Sequence, residues 1–214
     1  MSFFTKCNTV RYIRKKAQEV LLRLIFTAFL RINSRHFSIL KHLVYGGPNG
    51  EMSAALRYLS QRYSMPDEVT KSLLTDIGTE ELAHLEIVGT IVRQLARNAT
   101  IEEIENSPFG AYFMNHGRGV YAANSDGMPF DALAFAVTAD PITDLVEDLA
   151  AEQKARTVYD NILRISDDPD VNDVIKFLRQ REIVHFQRFG EALDQLQNKP
   201  KPKMCCGMDT NKKQ

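Results

Sequence analysis

The sequence has few cysteines, no tryptophan and no excess of charge of either sign. Its three cysteines are Cys7, near the start, and the adjacent pair Cys205 and Cys206, in a terminal tail. This number and spacing provide neither a disulfide framework nor the paired CxxC motifs of a cysteine-rich zinc site, and they fit a reducing, intracellular setting. The 27 Lys and Arg residues equal the 27 Asp and Glu residues, so no whole-chain basic field predicts nucleic-acid binding.

Long apolar runs are also missing from the chain. The most apolar stretch, residues 20–32, is interrupted by Arg23 and Arg31 and is too short to span a bilayer. A long charged segment precedes it and no small-residue cleavage site follows it, so it does not resemble a signal peptide. We therefore expect a soluble, cytoplasmic protein without an export signal. With 214 residues, 44% of them hydrophobic, the chain is long enough for one domain with a real core.

The rest of the sequence consists of helical patterns separated by short turn signals. These patterns predict four long helices, near residues 51–63, 67–97, 141–165 and 170–197. Residues 107–140, rich in Gly, Pro, Asn and Ser, would form a long crossover between the second and third helices. Two helix pairs joined by one long crossover predict an all-α, ferritin-like four-helix bundle. We expect this domain at residues 41–197, after an atypical N-terminal segment (1–40) and before a disordered, Lys-rich tail (198–214).

One pattern, a Glu followed 30 residues later by Glu-x-x-His, occurs twice in the chain. The residues of the two copies are Glu51, Glu81 and His84, and Glu152, Glu182 and His185. Residues three apart lie on one face of a helix, so the Glu and His of each Glu-x-x-His pair point to the same side. Ferritin-like two-metal sites use this inventory: one Glu from each of two helices and Glu-x-x-His from each of the other two. The pattern therefore predicts a two-metal carboxylate centre.

The helical periodicity places these residues on apolar faces. In the second helix, Glu81 and His84 interrupt an apolar stripe, and the fourth helix repeats the arrangement. Taken singly, each residue could be a solvated Glu or a core His, but the matched spacing of the set argues against that interpretation. Buried carboxylates cost several kcal/mol each unless they are paired, so a buried cluster predicts metal partners. Carboxylate-rich ligation with two imidazoles and no thiolate favours manganese or iron over zinc or copper.

Other acids and histidines lie outside this repeat. Four acids are interpreted as surface charges: Glu80, Glu86, Glu147 and Asp148. Three histidines have no partner at ligand spacing, and no role is predicted for them: His36, His42 and His116.

The segments around the predicted ligands resemble the non-haem manganese catalases, in particular their shorter spore-coat members. The similar segments are residues 46–58, 76–84, 147–152 and 181–185. The resemblance covers about residues 42–196. It implies a centre of two manganese ions per subunit that disproportionates hydrogen peroxide to water and dioxygen.

The resemblance also implies a role for each site residue. The metal ligands would be Glu51, Glu81, His84, Glu152 and His185, with Glu81 as the bridge. Glu182 would stay off the metal as the catalytic acid and base, and Tyr58 would form a hydrogen bond beside the ligands. Family members are usually hexamers, so a homo-oligomer is implied, with hydrogen peroxide as the substrate. Other spore-coat proteins are implied partners, with the spore coat as a second location.

Three departures from the family pattern modify these expectations. Residues 1–40 do not resemble the usual N-terminal segment, so contacts made there are open. Ala151 stands where some catalases have an Arg that gates the site, so we expect altered peroxide access or rate. The chain also ends soon after the fourth helix, without the extension that wraps subunits together, and we expect a weaker oligomer.

Two alternatives to a catalase stay open on the sequence. The first is a structural spore-coat protein whose two-metal centre is not catalytic, and the second is a di-iron ferroxidase or peroxidase on the same bundle. A complete ligand set is compatible with both of them. Rubrerythrin is disfavoured, because its separate iron site needs paired CxxC motifs that the sequence lacks.

Overall fold

The computed structural model of the protein describes residues 45–113, 119–123, 128, 130–132 and 136–198. Its helices are α1 (Glu51–Gln61), α2 (Glu68–Leu95), α3 (Ile101–Glu105), α4 (Pro141–Ile165) and α5 (Pro169–Gln197). Single 3-10 turns occur at Arg62–Ser64 and Pro108–Tyr112, and Phe113 forms an isolated bridge with Val120. None of the described helices is long and apolar enough to cross a membrane.

Several sequence predictions fall outside the described residues. They concern the N-terminal segment, the terminal tail, Cys7, His36, His42, His116, Cys205 and Cys206. The predictions for the four long helices can be compared directly. The largest differences are at the ends of α1, at residue 61 rather than 63, and of α2, at 95 rather than 97.

Aspartate caps define where three of the long helices begin. At the start of α2, the Asp67 carboxylate accepts a hydrogen bond from the backbone N–H of Thr70. Asp140 and Asp168 cap α4 and α5 in the same way, and a proline follows each of these two caps. Proline suits the first helical position because its φ is already helical and the missing N–H would have no helical partner there. These local signals are why the sequence located the helix starts well.

The four long helices pack as two pairs. Helix α1 packs along α2 and α4 along α5, and contacts between α1 and α4 and between α2 and α5 join the pairs. Each pair has a short internal connection, whereas the pairs are joined by the long segment between α2 and α4, of which the structure describes a part. This arrangement confirms the predicted ferritin-like bundle. The sequence-based prediction did not include α3, a short helix between the pairs. It begins with a capping box formed by Thr100 and Glu103.

The apolar core is divided into two clusters by a polar centre. One cluster contains the buried apolar residues of α2 from Ile87 onward, together with those in the C-terminal part of α4 and the N-terminal part of α5. The other contains Leu74 and Ile77 of α2 with Leu145 of α4 and Phe189 of α5. Each of these three helices therefore passes from one cluster to the other across the middle of the bundle. The predicted metal ligands lie in that middle section.

Candidate metal centre

All four long helices bring acidic side chains to one point in the core. The converging residues are Glu51 of α1, Glu81 and His84 of α2, Glu152 of α4, and Glu182 and His185 of α5. Each of them is at most 2% exposed. The structure thus brings together all six residues that the doubled spacing singled out.

These side chains form two overlapping groups of ligand atoms. One group contains Glu51, Glu81, His84 and Glu182, and the other contains Glu81, Glu152, Glu182 and His185. Within each group the ligand atoms lie within 4.8 Å of one another. Glu81 and Glu182 belong to both groups, so either carboxylate is placed to contact two ions.

Both imidazole rings turn the same nitrogen towards the centre. His84 Nδ1 lies 2.8 Å from Glu81 Oε2, and His185 Nδ1 lies 2.6 Å from Glu81 Oε1. The rings are stacked, with centroids 5.6 Å apart and planes inclined by 22°. The two Nδ1 atoms are therefore the ones available to metal ions, and the Nε2 atoms point away from the centre.

Glu80 faces the outer edges of both rings, so the prediction that it is a surface charge is wrong. It is 9% exposed, with Oε1 3.6 Å from His84 Nε2 and Oε2 3.2 Å from His185 Nε2. Arg181 of α5 binds the same carboxylate through Nε at 2.5 Å and Nη2 at 3.2 Å. Position 80 lies beside the apolar stripe of α2, but it faces α5, and Arg181 compensates its charge.

Tyr58 forms a hydrogen bond to one of the candidate ligands. Its Oη donates to Glu152 Oε1 at 2.5 Å, and its ring packs against Phe189 with centroids 4.9 Å apart. Burial raises the pKa of Tyr58 well above its ordinary value, and the neighbouring Glu152 and Asp148 add to this effect. The phenol therefore keeps its proton and serves as a donor to Glu152.

The carboxylates of the centre differ in how easily they ionise. Burial raises the pKa of Glu51 to about 8, and it raises the pKa of Glu182 well above the ordinary range. Burial also acts to raise the pKa of Glu81, but the adjacent His185 and His84 lower it below its usual value. A cluster of this kind resists ionisation of all its carboxylates unless further positive charge is present.

Several buried oxygen atoms of the cluster have no hydrogen-bond partner in the described part of the chain, and they show whether this group of residues suits metal ions. Three of the converging carboxylates each have an oxygen that is buried without a hydrogen-bond partner among the described residues: Glu51 Oε1, Glu152 Oε2 and Glu182 Oε1. Buried polar atoms are normally paired, and these converge on one point. Two divalent cations would balance four carboxylates and provide partners for these atoms. The residues present therefore fit a two-metal carboxylate centre.

Asp148, also predicted to be a surface charge, is fully buried beside the centre, so that prediction is wrong too. Burial raises its pKa well above the ordinary value, while the guanidinium of Arg57 acts in the opposite direction. Asp148 stands four residues before Glu152, which places both on one face of α4. That spacing is the signal that could have identified it. Of the other two acids interpreted as surface charges, Glu86 is exposed and Glu147 is partly exposed, as predicted.

A narrow cavity leads from the surface to the centre. It begins at the exposed residues Pro48 and Asn49 and reaches Glu51, Tyr58 and Glu182. It has space for about one water-sized molecule. The cavity therefore connects the candidate ligands with the surface near the start of α1.

Comparisons with known proteins agree with this geometry. Residues 38–213 match the sequence profile of a family described as manganese containing catalase. The chain is 48% identical over 167 residues to Protein CotJC of Bacillus subtilis, covering 77% of this chain and 88% of that protein. It is 36% identical over 162 residues to the probable manganese catalase of Clostridium acetobutylicum, covering 76% and 72% of the two chains. The structure is similar to that of KatB, a manganese catalase from Anabaena, with a TM-score of 0.68, 29% identity, and coverage of 89% of this chain and 83% of the other.

Proposed function

Because this chain belongs to the manganese-containing catalase family, we propose that it disproportionates hydrogen peroxide at a two-manganese centre. The observation that carries the proposal is the pair of overlapping buried ligand groups, which share Glu81 and Glu182. In the overall reaction two hydrogen peroxide molecules give two water molecules and one dioxygen. One peroxide loses two electrons and two protons and becomes dioxygen, and the other takes up the two electrons and two protons and becomes two water molecules.

The residues proposed to hold the metal pair come from all four long helices. They are Glu51, Glu81, His84, Glu152 and His185, and Glu81, which belongs to both ligand groups, could contact both ions. When bound, the manganese pair supplies the redox chemistry by alternating between divalent and trivalent states. Carboxylate-rich ligation with two imidazoles suits manganese, and it also suits iron. Similarity to several manganese catalases supports manganese.

Glu182 is proposed to move protons rather than to act as a permanent ligand. It lines the cavity by which peroxide would enter, and it is shared by both ligand groups. Its carboxylate can take a proton from an entering peroxide and return it to the oxygen that leaves as water. Tyr58 orients Glu152 through its hydrogen bond, and Glu80 orients the two imidazole rings.

We also propose that the protein is associated with the spore coat and forms a homo-oligomer. Support for the location is the 48% identity to Protein CotJC, which extends over 88% of that protein, together with the resemblance to spore-coat members of the family. Support for the oligomer is the resemblance to a family of hexamers. A location in the coat is compatible with catalase activity, because a complete ligand set serves either role.

Metal analysis combined with an oxygen-electrode assay tests the proposed activity. Protein loaded with manganese is expected to hold two ions per chain and to release one dioxygen for every two peroxide molecules consumed. Protein loaded with iron is the matched comparison. Two manganese ions without oxygen release would support a structural centre, and faster peroxide consumption or ferrous oxidation by the iron form would support a ferroxidase or peroxidase.

A further inference from the structure

The cavity beside the centre is lined by a positively charged side chain, Arg57, to which the proposed reaction assigns no role. Arg57 of α1 is 2% exposed and lines the cavity together with Tyr58 and Glu182. Among the described residues that line the cavity, it is the one with a positive charge. A buried guanidinium is costly unless its donors are satisfied, so its contacts need an explanation.

The contacts of Arg57 leave part of its guanidinium unused. Its Nε has no hydrogen-bond partner in the described part of the chain. Its Nη2 lies 3.8 Å from Glu147 Oε1, which is an ion pair too long for a hydrogen bond. Asp148 is influenced by the charge of Arg57, but no hydrogen bond joins the two side chains in the described part of the chain. Acidic side chains of α4 therefore lie near Arg57, but they do not accept hydrogen bonds from all of its N–H groups.

Arg57 faces α4 across the cavity wall. Its Nη2 lies on the side of Glu147, and its side chain lines the cavity. The side of the cavity formed by α4 is built from Ala151 and Ala155, whose methyl groups leave the space open. An oxygen atom of a small molecule in this space would be bordered by Arg57 and Glu182.

We propose that Arg57 is a substrate-positioning residue that donates a hydrogen bond to an oxygen of hydrogen peroxide in the cavity. Hydrogen peroxide both donates and accepts hydrogen bonds, whereas a guanidinium only donates and an ionised carboxylate only accepts. Arg57 can therefore bind an oxygen lone pair, and Glu182 can bind an O–H group of the same molecule. Together the two side chains select one orientation of the substrate. The identity of this substrate rests on the proposed catalase function.

The same geometry predicts that the cavity binds small anions. A buried guanidinium donates charge-assisted hydrogen bonds, which are shorter and stronger than neutral ones. Azide, a linear anion of three atoms, is a suitable probe because its binding can be measured without turnover. Loss of Arg57 should weaken binding of azide and peroxide together, whereas a purely structural role would change stability and leave both affinities unchanged.

The variants that test this proposal must remove the guanidinium of Arg57 without leaving the buried Asp148 carboxylate without a compensating charge. Arg57→Met alone would remove the cation whose charge acts on the buried Asp148, and loss of this charge could prevent folding. The informative comparison is therefore Arg57→Met/Asp148→Asn against Asp148→Asn, because these two proteins differ only at position 57. Arg57→Lys retains the charge without the planar fork. Arg62→Gln is the matched control, since Arg62 lies at the end of the same helix and contacts Tyr63 outside the cavity.

The experiment measures KM, kcat and the azide Kd of the manganese-loaded proteins, with metal content as the check on the centre. We expect Arg57→Met/Asp148→Asn to raise KM and the azide Kd at least about tenfold relative to Asp148→Asn. Arg57→Lys should recover part of this loss, and Arg62→Gln should match the unchanged protein.

Equal KM and azide Kd in the two compared variants would overturn the proposal, as would loss of manganese from Arg57→Lys. Azide binding that depends on Arg57, in a protein that releases no oxygen, would instead contradict the catalase function and leave Arg57 as the anion-binding residue.

Discussion

Glu80 Oε2 lies 3.2 Å from His185 Nε2, on the edge of the imidazole opposite the Nδ1 atom that faces the metal centre. The other oxygen of the same carboxylate lies 3.6 Å from His84 Nε2. A single side chain of α2 therefore contacts one histidine on its own helix and one on α5. Outer contacts of this type fix the orientation of ligating imidazoles and increase their basicity.

Replacing Glu80 tests whether this contact supports metal binding. Glu80→Gln removes the negative charge while retaining the size of the side chain, so both imidazoles lose their charged outer partner. We expect manganese affinity to fall about 10-fold to 100-fold, measured by competition with a chelator. Glu86→Gln is the control, because Glu86 is exposed on the same helix. Unchanged affinity in Glu80→Gln would show that the contact does not support the ligands.

Glu81 and Glu182 both belong to the two ligand groups, so their proposed roles must be separated by substitution. Glu182→Gln is expected to retain close to two manganese ions per chain and to lose about 10²-fold to 10⁴-fold in peroxide turnover, because the proton carrier is removed. Glu81→Gln is expected to lose metal as well. Metal content and oxygen release of both variants decide the question. If Glu182→Gln loses metal as readily as Glu81→Gln, Glu182 is a ligand and the centre resembles a symmetric ferroxidase site.

The hydrogen bond from Tyr58 to Glu152 is expected to stabilise the bundle even without metal. Tyr58→Phe keeps the ring against Phe189 but leaves Glu152 Oε1 buried without its donor. An unsatisfied buried acceptor costs about 1–3 kcal/mol, so the melting temperature of the metal-free protein should fall by several degrees. Tyr63→Phe is the matched control, since Tyr63 is 75% exposed. Equal melting curves for the two variants would mean that the bond contributes little.

The fold and the six converging residues could be predicted from the sequence because their signals are local or repeated. Aspartate caps and Asp-Pro steps mark the helix starts, and the doubled Glu and Glu-x-x-His spacing marks the centre. The family resemblance also singled out Tyr58, whose hydrogen bond to Glu152 is present in the structure.

Glu80, Asp148 and Arg57 could not be assigned in the same way, because their burial depends on partners from other helices. Glu80 is 101 residues from Arg181, which compensates its charge, and no spacing rule connects them. Asp148 and Arg57 lie on different helices and come together only when α1 packs against α4. A helix in a four-helix bundle buries a face wider than its apolar stripe, so charged residues at the edge of the stripe can be buried when a partner is present.

Anomalous diffraction from crystals of the manganese-loaded protein, recorded at the manganese absorption edge, tests the two-metal centre most directly. We predict two peaks roughly 3.5–4 Å apart, one in each of the two ligand groups, with Glu81 between them. A single peak, or peaks away from Glu51, Glu81 and Glu152, would contradict a two-manganese centre at this position.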